Sequence, residues 1–395
     1  MIFSSRTPPQ LATNRLGALL ETLRAEGRAI IDLTESNPTR AGFVYPADLL
    51  AALADPRALR YDPQPFGSLH ARCAVAEEYA RQGLDVAPDR IVLTASTSDA
   101  YSLLFKLLAD AGDEVLVPRP SYPLFDHLTR LDLVAALPYD IEYHGVWSID
   151  ALAVERAITP RTRAVLVVSP NNPTGSFIKA GELERLALVC APREIPIIAD
   201  EVFADYELEP GARARAGRPA GRDDVLSFSL GGLSKSAGLP QLKLGWIAVS
   251  GPDRMVRHAL KRLELMCDAY LAVSTPVQTA ARELLARGAA VRRQIADRVI
   301  ANYRWLQSAV AAVPSCRLLR ADGGWYAVMH VPSLVSEEDL VLQLLSADEV
   351  LTHPGYFYDF PRESFLVVSL LPDPAGFADG VRRVLRHFDC SPNGA

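Results

Sequence analysis

Lysine is scarce in this chain. Only five of its 41 basic residues are lysines, at positions 106, 179, 235, 243 and 261. Arginine serves wherever a general positive charge suffices, so a lysine in a special setting carries weight. No run of apolar residues approaches the roughly 18 that a membrane helix needs. The first ten residues hold two prolines and no apolar stretch, which argues against a secretory leader. Net positive charge is lacking too: the formal balance is −6 and the basic residues are scattered. This excludes a general pull toward nucleic acid or an anionic membrane surface. The five cysteines, Cys73, Cys190, Cys267, Cys316 and Cys390, are too widely and irregularly spaced for a zinc set or a disulfide framework. Reduced, mostly structural thiols in a cytoplasmic protein are expected. Internal repeats and low-complexity tracts are absent as well.

What is present is a large apolar inventory. With 395 residues and 49% hydrophobic content, the chain can bury one large core or two domains sharing an interface. Apart from an amphipathic run over 14–27, positions 1–45 read as irregular and proline-punctuated. Short apolar runs at 91–95, 114–117, 164–169, 196–200, 225–230 and 242–250 read as strands, and 98–109, 149–157 and 181–190 as helices. Such alternation predicts an α/β fold with a mainly parallel sheet covered on both faces. From 252 to about 312 the pattern is helical, interrupted at 274–276. The remainder mixes strands at 325–331 and 365–370 with helices at 336–345 and 375–387, an α+β pattern. The expected division is a large domain over 46–275 and a smaller one from 276–395 joined by 1–45.

Four segments carry chemistry. In Gly231-Gly232-Leu233-Ser234-Lys235-Ser236-Ala237-Gly238 a lysine follows a strand among small residues. That suits an accessible loop amine with a lowered pKa, as Schiff-base chemistry requires, and on its own also suits a surface loop lysine. Asp200 ends the apolar run Ile197-Ile198-Ala199. An acid there is costly without a partner, and strand ends in parallel sheets are where ligands bind. A pyridine nitrogen would be such a partner; a plain strand cap is the alternative. Ser96-Thr97-Ser98, between a strand and a helix, offers hydroxyls and free N–H groups for a phosphate, or simply a helix cap. Ser169-Pro170-Asn171-Asn172-Pro173-Thr174-Gly175 is either a turn or an amide held to hydrogen-bond a ring hydroxyl.

In order and separation, Asn-Pro-Thr-Gly at 172–175, Asp-Glu-Val at 200–202 and Ser-Lys at 234–235 resemble the class I/II aminotransferases, fold-type-I enzymes dependent on pyridoxal 5′-phosphate (PLP). The resemblance spans nearly the whole chain. It implies that Lys235 is the Schiff-base lysine that shuttles the proton, that Asp200 pairs with the pyridinium nitrogen, and that Asn172 donates to the ring hydroxyl. It also implies that Tyr122 stacks on the ring and that Ser96, Thr97 and Ser98 form the phosphate cup. Tyr61, upstream of Gly67 and Arg72, matches the tyrosine that reaches a partner subunit's phosphate, implying a homodimer with active sites at the interface. Gly323-Gly324-Trp325-Tyr326 resembles the family's segment at the site mouth, and His353-Pro354-Gly355 its turn beside the substrate.

Three positions depart from the family pattern. Lys243 stands where a phosphate-binding arginine is usual, which keeps the charge and loses the planar fork. Phe203 replaces a tyrosine near the ring hydroxyl. Val367 occupies the position of the arginine that receives the substrate carboxylate, leaving Arg40 and Arg362 as candidate cations. The implied activity is ping-pong transfer of an amino group from an amino acid to a 2-oxo acid. The alternative is a PLP-dependent lyase, cyclase or decarboxylase on the same scaffold. A PLP-dependent transcriptional regulator would need a DNA-binding domain ahead of the fold, for which 1–45 leaves little room. No metal is expected.

Overall fold

In the computed structural model, residues 2–8, 13–362 and 364–389 are described; Cys390 and Met1, Pro9 and Gln10 of the N-terminal segment lie outside them. An eight-stranded sheet runs in the order Ile91–Thr94, Gly245–Ser250, Ser227–Gly232, Ile197–Asp200, Thr162–Val168, Glu114–Arg119, Ala135–Tyr143 and Trp147–Ile149. Gly245–Ser250 is antiparallel to both its neighbours, as is Trp147–Ile149 to Ala135–Tyr143, and the other pairings are parallel. Alternate side chains leave opposite faces of a strand. Accordingly Val165 and Val167 enter one buried cluster, while Ala164, Leu166 and Val168 enter another. Both faces are covered, which is why the central strands are continuous apolar runs rather than alternating ones.

Helix Thr97–Leu108 starts where the Ser96 hydroxyl accepts from the Asp99 N–H, and Asp253–Tyr270 ends at left-handed Leu271. The 37-residue helix Thr275–Ala311 follows, with proline in its first turn. A four-stranded antiparallel sheet takes the order Arg317–Leu318, Tyr326–His330, Phe365–Ser369, His353–Pro354. Helices Glu337–Asp348 and Pro374–Arg386 are capped by Ser336 and Asp373. Near the other end of the chain, Ile31–Asp32 pairs in parallel with Val350–Leu351.

Most expected elements are present within a few residues of their bounds. The apolar run at 242–250 becomes a strand only at Gly245, because Pro240 opens a 3₁₀ turn and Lys243 adopts a φ of 51°. Ala135–Tyr143 and Trp147–Ile149 were not anticipated. The first contains Pro138 and several exposed or half-buried positions, so it shows no apolar run.

Candidate active site

Three adjacent parallel strands deliver the central residues at their C-terminal ends. Val168, Asp200 and Leu230 lie side by side in register. Asn171 and Asn172 follow the first, Asp200 ends the second, and the third continues through Gly231 and Gly232 to Lys235. Ligands in open α/β sheets bind at this edge. A Cβ on Gly231 would lie 2.5 Å from the Trp246 indole nitrogen, so only glycine lets this strand end pack so closely against that ring. Lys235 itself sits in the four-residue helical turn Leu233–Ser236. It is half-buried, not the accessible loop amine that the flanking small residues suggest.

The Lys235 Nζ lies 4.8 Å from the Trp325 ring centre and 5.5 Å from that of Phe203. Burial lowers its pKa to about 8, with the Asp200 charge opposing. A neutral amine, the nucleophilic form, is therefore reached near physiological pH. Asp200 accepts from the Tyr101 hydroxyl at 2.9 Å and from the Val202 N–H at 3.1 Å. Its pKa is nevertheless raised, because burial outweighs those two bonds and the Lys235 charge. This carboxylate lacks a full counter-charge, and a protonated ring nitrogen would supply one.

Asn172 is buried and its Oδ1 has no hydrogen-bond partner among the described residues. The Asn172–Pro173 and Ser169–Pro170 bonds on either side are cis. Ser96, Thr97 and Ser98 are half-buried. The Ser96 hydroxyl is engaged as the helix cap at 3.1 Å from the Asp99 nitrogen. Thr97 and Ser98 occupy the first helical turn, whose N–H groups have no intrahelical acceptor. Gly245 allows the neighbouring strand to press against this turn, since a Cβ there would meet the Ser96 carbonyl carbon at 2.9 Å. A buried unpartnered amide, an undercompensated carboxylate, a low-pKa amine and an open helix N-terminus fit a phosphorylated pyridine aldehyde.

The family model for aminotransferase class I and II matches residues 28–376. The chain belongs to this family. An alanine aminotransferase of Mycobacterium tuberculosis is 28% identical over 380 residues, covering 92% of this chain and 86% of the relative. A glutamate-pyruvate aminotransferase of Escherichia coli is 26% identical over 358 residues, 88% of each. Among solved structures, an alanine aminotransferase from Pyrococcus furiosus superposes with a TM-score of 0.88 at 23% identity, covering 98% of this chain and 99% of that one. The fold is that of the fold-type-I PLP enzymes, and PLP is the cofactor. The chain is an amino-acid aminotransferase working by the family's ping-pong transfer to an oxo acid. None of its described helices is long and apolar enough to cross a membrane.

Other expected site residues of the aminotransferase are less tightly gathered. Tyr122 is 43% exposed with its ring at right angles to Phe125; burial and the Asp200 charge raise its pKa. Lys243 is exposed and makes no ion pair among the described residues. Tyr61 is 75% exposed. Val367 is buried opposite Val328 and His353, and the strand Phe365–Ser369 carries no cation. Arg40 and Arg362 are both exposed. Trp325 belongs to the core, with Phe203 and Tyr206 packed edge-on against it. The His353 Nδ1 is 3.0 Å from the Tyr358 hydroxyl, and burial pushes the ring's pKa down to about 4.

Sequence reasoning missed Tyr101, Tyr206 and Arg292. Tyr101 meets Asp200 across 99 positions, and nothing local marks it. Arg292 is one arginine among many, distinguished only by burial.

Proposed function

We propose that Lys235 binds PLP covalently and, once released by the amino-acid substrate, carries the proton from the substrate's Cα on its Nζ. Bound there, the cofactor supplies an electron-poor ring that accepts the pair left at Cα. Asp200 holds the ring nitrogen protonated, with Tyr101 orienting its carboxylate. Asn172 meets the ring hydroxyl, Tyr122 covers the ring face, and Ser96, Thr97, Ser98 and Lys243 receive the phosphate. The observation that carries this reading is the placement of half-buried Lys235, just past the end of one strand, within the field of Asp200 at the end of the neighbouring strand.

Tyr61 reaches the phosphate of a second copy in this reading. Its exposure, with exposed Val44, Leu50 and Leu59 nearby in sequence, supports a homodimer. A larger domain over 46–275, with 1–45 and 276–395 forming the smaller, is supported by the helix that begins at Thr275. The unpaired Cys73, Cys190, Cys267 and Cys316 support a cytoplasmic location. Arg40 is the better candidate for the substrate carboxylate. Its turn follows the segment whose Leu33 and Glu35 carbonyls accept from the Ser369 N–H and hydroxyl, at 2.7 and 2.6 Å.

The test is the absorbance of purified holoenzyme with each common amino acid in turn. Bleaching to the pyridoxamine form by one donor, reversed by a 2-oxo acid, is expected. Borohydride should fix the cofactor to the Lys235 peptide, and an adduct on another lysine would refute the assignment. Arg40→Ala should raise KM sharply, and an unchanged KM removes Arg40.

A further inference from the structure

The turn that bears Lys235 is too short to hold itself. A four-residue helix leaves its last carbonyls without intrahelical donors. The Gly232 carbonyl accepts from the Ser236 hydroxyl at 2.9 Å, and that of Leu233 from the Ala237 and Leu239 N–H groups at 3.1 and 3.0 Å. The carbonyls of Lys235 and Ser236 are served differently. The Tyr206 hydroxyl donates to the first, and the buried Arg292 Nη1 donates to the second at 2.9 Å. The two donors come from separate elements, the segment after the Asp200 strand and the long helix Thr275–Ala311.

Each donor is itself fixed. Arg292 also donates to Glu78 at 2.9 Å and lies 3.8 Å from Asp205, and both acids bind Arg81. The same helix packs on the turn, since a Cβ on Gly288 would lie 2.5 Å from that of Ala237. The Tyr206 ring stands 5.0 Å from Trp325, the ring over which the Lys235 Nζ sits. Backbone and amine of one lysine are thus referenced to a single aromatic pair. Burying an arginine is costly unless it is fully bonded, and here that bonding ends on the carbonyl beside the reactive lysine.

We infer that Tyr206 and Arg292 form a two-point clamp on the Lys235 turn and act as positioning residues for its amine. The inference rests on the reading of Lys235 as the cofactor lysine. Asp200 is the charged group that faces the amine, with the Phe203 and Trp325 rings around it. Releasing either point lets Nζ drift from these rings toward water, so its pKa climbs from about 8 toward that of an ordinary ammonium. Neither clamp residue needs to touch substrate, so the turnover rate should suffer and KM should not.

The test uses Tyr206→Phe, which keeps the ring and removes only the hydroxyl, and Arg292→Lys, which keeps the charge and loses the fork. In each apoenzyme, the pH dependence of Lys235 labelling by an amine-reactive reagent is followed peptide by peptide. The labelling midpoint should rise by about one unit, and kcat of the holoenzyme should fall about ten- to a hundredfold with KM within about twofold. If Arg292→Lys fails to fold, Tyr206→Phe decides alone. Folded Tyr206→Phe with both midpoint and kcat unchanged would overturn the clamp. A borohydride adduct on a lysine other than Lys235 in the wild type would instead overturn the reading beneath it.

Discussion

Replacing His353 should change how stability depends on acid. It is half-buried, opposite Val367, and its ring bonds through Nδ1 to the Tyr358 hydroxyl. Burial holds its pKa at about 4 instead of 6.5, against a smaller opposing pull from Asp32. In the unfolded chain the imidazole takes a proton near pH 6.5, while the folded one resists until about pH 4. Between those values the unfolded state binds more protons, so stability falls as pH falls through the window. At 1.36 kcal/mol for each pH unit between the two values, this corresponds to about 3 kcal/mol lost by pH 4 on account of this residue. His353→Gln retains a partner for Tyr358 and removes the titration. Urea unfolding of wild-type and His353→Gln holoenzyme from pH 7.5 to 4 gives the difference between the two curves, in which all other titrating groups cancel. That difference should shift in favour of the variant by about 3 kcal/mol between pH 6.5 and 4. Parallel curves would refute the argument, because they would mean that the folded protein protonates His353 as readily as the unfolded chain.

Tyr101→Phe removes the hydroxyl donor from Asp200, so the carboxylate's pKa should rise further and its hold on the ring nitrogen should weaken. PLP affinity, titrated by absorbance into apoenzyme, should weaken roughly ten- to a hundredfold, the worth of one hydrogen bond to a charged group; an unaltered Kd would remove Tyr101 from the site. Phe203→Tyr adds a phenol beside the ring hydroxyl and should lower the pKa of the Lys235–cofactor linkage, read by spectral pH titration. Identical midpoints in the two proteins would count against it.

The large sheet was legible because its central strands are buried on both faces and their apolar runs end in chemically distinct residues such as Asp200. The strand Ala135–Tyr143 was not, since its half-exposed positions and Pro138 hide it among loops. Among the candidate site residues, those offered by the sequence stand within recognisable motifs: Asn172 within Asn-Pro-Thr-Gly, Lys235 among small residues. Residues that act across distance do not. Tyr101 reaches Asp200, and Arg292 the Lys235 turn, from helix faces that carry no local signal, and only packing shows which tyrosine and which arginine are meant. Lys235 shows the same limit in reverse. Its glycine and serine neighbours suggest an accessible loop, whereas the backbone closes into a helical turn that sets the amine over the Trp325 ring.

The helix Thr275–Ala311 also sets a rule for sequence change. Its Arg292 bonds the Ser236 carbonyl, and its Asn302 donates to the carbonyls of Leu370 and Pro372, each at 2.9 Å. The two anchor points lie on one rigid rod about 15 Å apart, at 1.5 Å of rise per residue. Inserting or deleting a single residue between them would turn one anchor about 100° away from its carbonyl, however conservative the added side chain. Substitutions on the outer face of this span should be tolerated freely, while its length should not vary.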